Sequence, residues 1–324
     1  MNEFELNELS RNKIISDEQR RIIEDFEAKK SFSLRQEIKS MLYLGVLLLN
    51  IGLGRIIYEN IHTIGHHVII TGIAVLTIFC FWYSFKNRKP FSLQEIKNDS
   101  PFTDYILLLG CLTFLVLEGY LQYQYNIFGQ RYGLATIIPT IIFFPAAYYF
   151  DHRGVLSLGI TTFASWLGVT VSPIYLLQNG LGQNNLIYAG LVFGILLCAA
   201  AYFTENQNFK KHFNFTYLNF AANILFISSL TGLIVIKNYF VFFLLLIVLV
   251  ILFIKYAIDK QSFYFLTISM IYGYWALSYL VLQMEFFQSM FILYYFIITS
   301  IVLIVFLIKF KKRLDVKKVT VNQI

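Results

Sequence analysis

A chain of 324 residues with 57% apolar, 18% aromatic and only 14% charged side chains is far poorer in charge than a soluble domain, where Asp, Glu, Lys and Arg make up about 25%. At about 20 residues per helical crossing, ten crossings take about 200 residues, and the longest polar stretch outside them is the N-terminal 38 residues. This excludes a separate soluble catalytic or nucleotide-binding domain, and the net charge of +7 falls on alternate loops, as membrane topology requires and nucleic-acid binding does not.

Residues 1–38 are expected to form a small cytoplasmic helical hairpin. Ser16 and Gln19 stand at capping-box spacing, so a helix should start there. Beyond it Ile22, Ile23 and Phe26 share one face, while Arg20, Arg21, Glu24 and Asp25 cover the rest. Leu6, Leu9, Ile14 and Ile15 supply a partner face, with docking on the membrane surface as the alternative. The segment has no apolar core followed by a cleavage site, so the first membrane helix is expected to serve as its own insertion signal.

Ten apolar runs of near-spanning length follow, at 40–58, 65–85, 103–123, 131–150, 154–172, 184–203, 214–236, 238–257, 262–284 and 288–308. The expected fold is therefore an all-α integral membrane bundle of about ten transmembrane helices over 39–308, ending in a basic cytoplasmic tail at 309–324. Of the 26 basic residues, all but Arg55, Arg131 and Lys237 lie on the N-terminal segment, on alternate loops or on the tail. This asymmetry predicts cytoplasmic N- and C-termini in a bacterial inner membrane. Nine helices would put the basic tail on the wrong side. Cys80, Cys111 and Cys198 sit inside apolar runs without metal-ligand spacing and read as buried hydrophobes.

Phe32–Lys39 and Phe91–Lys97 share the pattern Phe-Ser-Leu…Gln-Glu-Ile-Lys ahead of a membrane helix. They are read as two interfacial amphipathic helices, with a duplicated helical pair as the alternative. Pro139 and Pro145 should bend the fourth helix and free carbonyls. Gly190 and Gly194 form a GxxxG for close helix packing, against a neighbour that the sequence leaves open. The turn Asp151-His152-Arg153-Gly154 reads as an ordinary capped connection.

Ionisable groups inside spans are costly and mark candidate sites. Arg55 and Glu59 lie four apart near the outer end of the first helix. Glu118 lies about one turn from the outer end of the third, beside Gly119, with Gln122, Gln124, Gln130 and Arg131 along the same edge. The candidate ligand-binding set is Arg55, Glu59, Glu118 and Arg131: an arginine fork for an anionic group, and Glu118 as counter-charge or proton acceptor. The bland alternative pairs Arg55 with Glu59, leaves Arg131 among headgroups and bonds Glu118 to a neighbouring tyrosine. Glu118 itself is expected to contact an arginine or histidine, directly or through one water, and not to face lipid. His62, His66 and His67 are the candidates for a metal, but they lack HExxH and a defined third ligand, and no metal or cofactor is expected. The absence of Walker, GxSxG and paired-carboxylate motifs leaves hydrolases and primary pumps without support; an intramembrane transferase acting on lipid-linked substrates would have only Glu118 and His66 as actors.

Two regions resemble a known family. Leu9-Ser10-Arg11-Asn12-Lys13-Ile14-Ile15-Ser16-Asp17-Glu18-Gln19, with the glycine-bearing first span from Leu44-Gly45-Val46 to Gly52-Leu53-Gly54, is similar to the opening of the bacterial membrane proteins grouped as domain of unknown function twenty-one fifty-seven. Gln122-Tyr123-Gln124-Tyr125-Asn126-Ile127-Phe128-Gly129 and Pro145-Ala146-Ala147-Tyr148-Tyr149 extend the likeness, which covers roughly the first 170 residues. Lys13 replaces that family's glycine. The resemblance implies architecture and lends no activity. Two functions stay open: a transporter or ligand-binding membrane protein with an outward polar pocket for a small polar or anionic solute, or a structural or regulatory subunit of a larger membrane complex. Membrane lipid is the expected surrounding in either case.

Overall fold

The structure is a computed structural model that describes residues 16, 19, 35–96, 101–171, 184–236, 239–283 and 289–321. Among the described residues there are ten α-helices and no strand: α1 (Arg35–Ile64), α2 (His66–Lys86), α3 (Pro101–Tyr125), α4 (Leu134–Phe150), α5 (Arg153–Val171), α6 (Asn184–Asn206), α7 (Asn214–Val235), α8 (Tyr239–Asp259), α9 (Phe263–Leu282) and α10 (Ser289–Val321). Each falls on one of the ten apolar runs. Seven of them, α2, α3 and α6 to α10, are long and apolar enough to cross a membrane, and α1 and α4 contain shorter apolar helices. The protein is an all-helical membrane bundle.

The chain divides into two compact units, Met1–Ile56 and Ile57–Ile324. In the first, the Ser16 amide donates to Gln19 Oε1 at 3.0 Å and the Gln19 amide to Ser16 Oγ at 3.2 Å. That is the reciprocal cap expected from the spacing. The rest of the expected hairpin lies outside the described residues. The N-terminal part of α1 follows, with its Asn50 amide folded back onto the Val46 carbonyl at 2.8 Å.

The second unit is built from hairpins of consecutive helices: α2 with α3, α4 with α5, α6 with α7, and α8 with α9. In α7, which has the most buried residues, Ala222, Leu225, Phe226 and Leu233 pack against α6, α8 and α9. Small residues set the closest approaches, as expected where apolar solvent gives helices no hydrophobic reason to associate. A Cβ on Gly194 would lie 2.5 Å from Leu225 Cγ, and one on Gly190 would lie 2.2 Å from Ser228 Oγ. The partner of the GxxxG face is therefore α7 of the same chain. Hydroxyl pairs join other helices: Thr77 with Thr113 at 3.0 Å, Thr140 with Thr162 at 2.9 Å, and Tyr148 with Tyr217 at 2.7 Å. Such bonds contribute about 0.6 kcal/mol each. α4 runs unbroken through Pro139 and Pro145, which removes the donors that would serve the carbonyls of Ala135 and Ile141.

One expectation is corrected. Residues 91–96 form no helix. Their backbone groups are used elsewhere: the Leu93 carbonyl accepts the Lys210 amide at 2.9 Å, and the Ile96 amide donates to Asp151. An α-helix cannot form while distant partners hold those groups.

Candidate functional site

Two carboxylates are buried in the second unit at opposite ends of its helices, with opposite surroundings. Glu118, on α3, is 6% exposed. It therefore does not face lipid. Both of its oxygens are buried, and neither accepts a hydrogen bond from a described residue. The direct arginine or histidine partner expected for it is not made. The nearby histidine on α2 is already engaged, since His66 Nδ1 and the Tyr120 hydroxyl lie 2.8 Å apart. The adjacent Gly119 opens onto space, with nothing within 4 Å of where a Cβ would stand.

The other expected residues are more dispersed. Arg55 is exposed and lies in the first unit, whereas Glu59, also exposed, lies in the second. Both make polar contacts. Arg131 is exposed and closes the turn between α3 and α4, its amide donating to Phe128 O at 3.0 Å and its carbonyl accepting from Leu134 at 2.9 Å. That turn is organised by Gln122, whose amide group donates to Asn126 Oδ1 (2.9 Å) and to Gly129 O (3.2 Å) and accepts the Phe128 amide at 2.9 Å. Left-handed backbone at Asn126 and Gly129 completes it. Gln122 is thus a loop-folding residue. His67 is exposed with its ring 6.1 Å from that of Tyr125, and the His62 side chain lies outside the described residues. Cys80 and Cys111 are buried as free thiols, and Cys198 is half-buried.

The second carboxylate is the one sequence reasoning missed. Asp151 ends α4 in the left-handed conformation, φ 58°, which Asp tolerates better than most residues. Its side chain is 0% exposed, with Lys210 Nζ at 2.9 Å, itself 0% exposed, and His212 Nε2 at 2.7 Å. Burial pushes the Asp151 carboxyl up, but His212, the Ile96 amide and Lys210 outweigh it and hold it below the ordinary aspartate value. His152 turns inward and accepts the Val155 amide at 3.1 Å, capping α5. A Cβ at Gly154 would meet that ring at 2.8 Å. Outside the hub, Arg153 pairs with Glu95 at 2.9 Å, both half-exposed. The same end carries a second tie, in which Glu205 accepts Asn214 Nδ2 at 2.6 Å and pairs with Lys260.

What read as an ordinary turn therefore fastens three connections together: α2 to α3, α4 to α5, and α6 to α7. Asp151 and Lys210 are 59 positions apart, and no spacing rule joins residues so distant. The one local signal was an acid set immediately after a run ending in Tyr148-Tyr149-Phe150.

Chemically, Asp151 is closed in by Lys210, His212 and the Ile96 amide, while the buried Glu118 oxygens meet no donor among the described residues. Residues 7–156 match a family described as Predicted membrane protein (DUF2157). The matched segment runs from the N-terminal region to the start of α5, so it contains Glu118 and Asp151 but not Lys210 or His212. No curated protein and no solved structure matches the chain.

Proposed function

We propose that this multi-pass membrane protein binds a small polar solute, or conducts one across the bilayer, at the helix ends away from the basic loops. Glu118 is the residue that meets the solute, with Glu59 and Arg131 at the rim. The observation that carries this reading is the Glu118 carboxylate, buried on a spanning helix with neither oxygen partnered among the described residues. An isolated buried carboxylate is costly enough that a proton, a cation or a hydrogen-bond donor on a ligand is the usual resolution.

The test is thermal stabilisation of the purified full chain across a panel of small polar and anionic solutes, with Glu118→Gln run in parallel. A true ligand at a hundred times its dissociation constant stabilises by about 2.7 kcal/mol. The expected outcome is at least one solute that protects the parent and not the variant. If every solute treats the two alike, the proposal fails.

One observation favours the alternative of a subunit in a larger complex. No residue of the apolar stretch Ile292–Lys311 of α10 is fully buried within the chain. α10 is attached through Tyr274 with Thr299 at 2.9 Å, Ser278 with Tyr295 at 3.1 Å, and Leu307 and Phe310 packed on the core. A helix held so lightly suits packing against another membrane protein. Purification in mild detergent separates the two: recovery of the chain alone counts against an assembly role.

A further inference from the structure

We infer that the second unit carries a specific site for one anionic glycerophospholipid, with an acyl chain seated between α2, α3 and α4 and the headgroup at Lys86 and Arg88.

The seat is a cleft of about 840 Å³ with almost entirely apolar walls, among them Ile78, Trp82, Phe85, Phe114, Pro145 and Tyr149. Along α2 the lining runs from Ala74 to Phe85, about 16 Å at 1.5 Å per residue. That is close to half of the roughly 30 Å hydrocarbon core, the depth of a single leaflet. The Pro145 ring, which cannot donate to Ile141, forms part of the wall, and the hydroxyl of Thr77, which also lines it, is engaged with the Ile73 carbonyl at 2.8 Å and Thr113 Oγ1 at 3.0 Å. The cleft therefore offers hydrogen-bonding groups almost nowhere along its length, which suits a hydrocarbon tail and not a polar solute.

Its mouth is charged. Lys86 Nζ stands 5.1 Å over the Trp82 ring and the Arg88 guanidinium 5.0 Å over the Tyr149 ring, so each cation is held on a residue that also lines the cleft. Both are exposed, and neither has a carboxylate partner among the described residues. Three acids of that end are committed elsewhere, Glu95 to Arg153, Asp151 to Lys210 and His212, and Glu205 to Lys260 and Asn214. Two cations over a leaflet-deep apolar cleft match a phosphate-bearing headgroup with a net negative charge. A zwitterionic headgroup would set its ammonium against them.

The experiment uses the three-tryptophan chain with Trp166→Phe and Trp275→Phe, leaving Trp82 as the single tryptophan. It is reconstituted in mixed phosphatidylglycerol and phosphatidylcholine bilayers in which only one lipid carries brominated acyl chains. Each cation near the surface favours an anionic lipid by about fivefold. Brominated phosphatidylglycerol should therefore quench Trp82 several-fold more effectively than brominated phosphatidylcholine at equal mole fraction. The ratio should fall to about one in Lys86→Gln/Arg88→Gln and persist in the charge-preserving Lys86→Arg/Arg88→Lys. Ala146→Leu, which fills the cleft and leaves both charges, should also lower it. Equal quenching by the two lipids in the parent, or a preference that survives loss of both charges, overturns the site. Should the single-tryptophan chain not fold, native mass spectrometry of the unsubstituted chain decides: retained phosphatidylglycerol supports the site, and indifference between the lipids refutes it.

Discussion

Asp151 and Glu118 are both carboxylates taken out of water by the same helical unit, yet one is surrounded by donors and cations and the other, among the described residues, by none. Burial alone therefore does not distinguish a structural charge from a candidate functional one; the partners do. A buried ion pair contributes little net stability over an apolar replacement, but breaking it leaves an uncompensated charge. A buried acid with no partner lowers stability as it stands, and is retained where a ligand or proton meets it.

The largest expected effect tests the saturated side. Asp151→Asn keeps a residue that accepts the left-handed backbone and removes only the charge, leaving Lys210 buried without its anion. A loss of about 3 kcal/mol is expected, read as a lower unfolding midpoint of the purified chain in detergent. Adding Lys210→Met should restore most of it. If the single variant is as stable as the parent, Asp151 is no hub.

The same group sets an acid limit. Its carboxyl is depressed in the folded chain, so its contribution is complete above the ordinary aspartate value of about 4 and is lost as the pH falls from there through the lower folded value. Stability measured below about pH 4 should therefore fall more steeply in the parent than in Asp151→Asn.

On the unsaturated side the sign reverses. Glu118→Leu removes a polar group with no partner to orphan among the described residues, and a gain of about 1–2 kcal/mol is expected, together with loss of any solute response. A destabilised Glu118→Leu would mean the carboxylate is held by something in the fold, and the contrast with Asp151 would collapse. The smallest effect is at Glu95, whose pair with Arg153 is half-exposed. Glu95→Gln should cost under about 1 kcal/mol, which separates the buried hub from the solvated bridge beside it.

The bundle was legible in the sequence to an unusual degree. Ten apolar runs became ten helices, and the Ser16–Gln19 spacing became a reciprocal cap. Both signals are local, one set by the length of a membrane crossing and the other by a single helical turn. The candidate site was legible only in part: Glu118 stood out as an acid in an apolar run, but its lack of a partner did not, because His66 was free on paper and is bound to Tyr120 in the fold. The segment 91–96 misled for the same reason, since its amphipathic pattern was real while its amides and carbonyls belonged to Asp151 and Lys210.

Sequence by itself determined that the chain is a helical membrane protein, where its helices lie, and which few ionisable residues had to be explained, because hydrophobic length and charge are additive along the chain. Only the tertiary structure decided that Gly190 and Gly194 pack on α7, that an unremarkable turn anchors three connections, and that a leaflet-deep cleft ends at Lys86 and Arg88. Those properties depend on which helices become neighbours, and in a lipid solvent that choice rests on small residues, close packing and a few polar pairs scattered far apart in the chain.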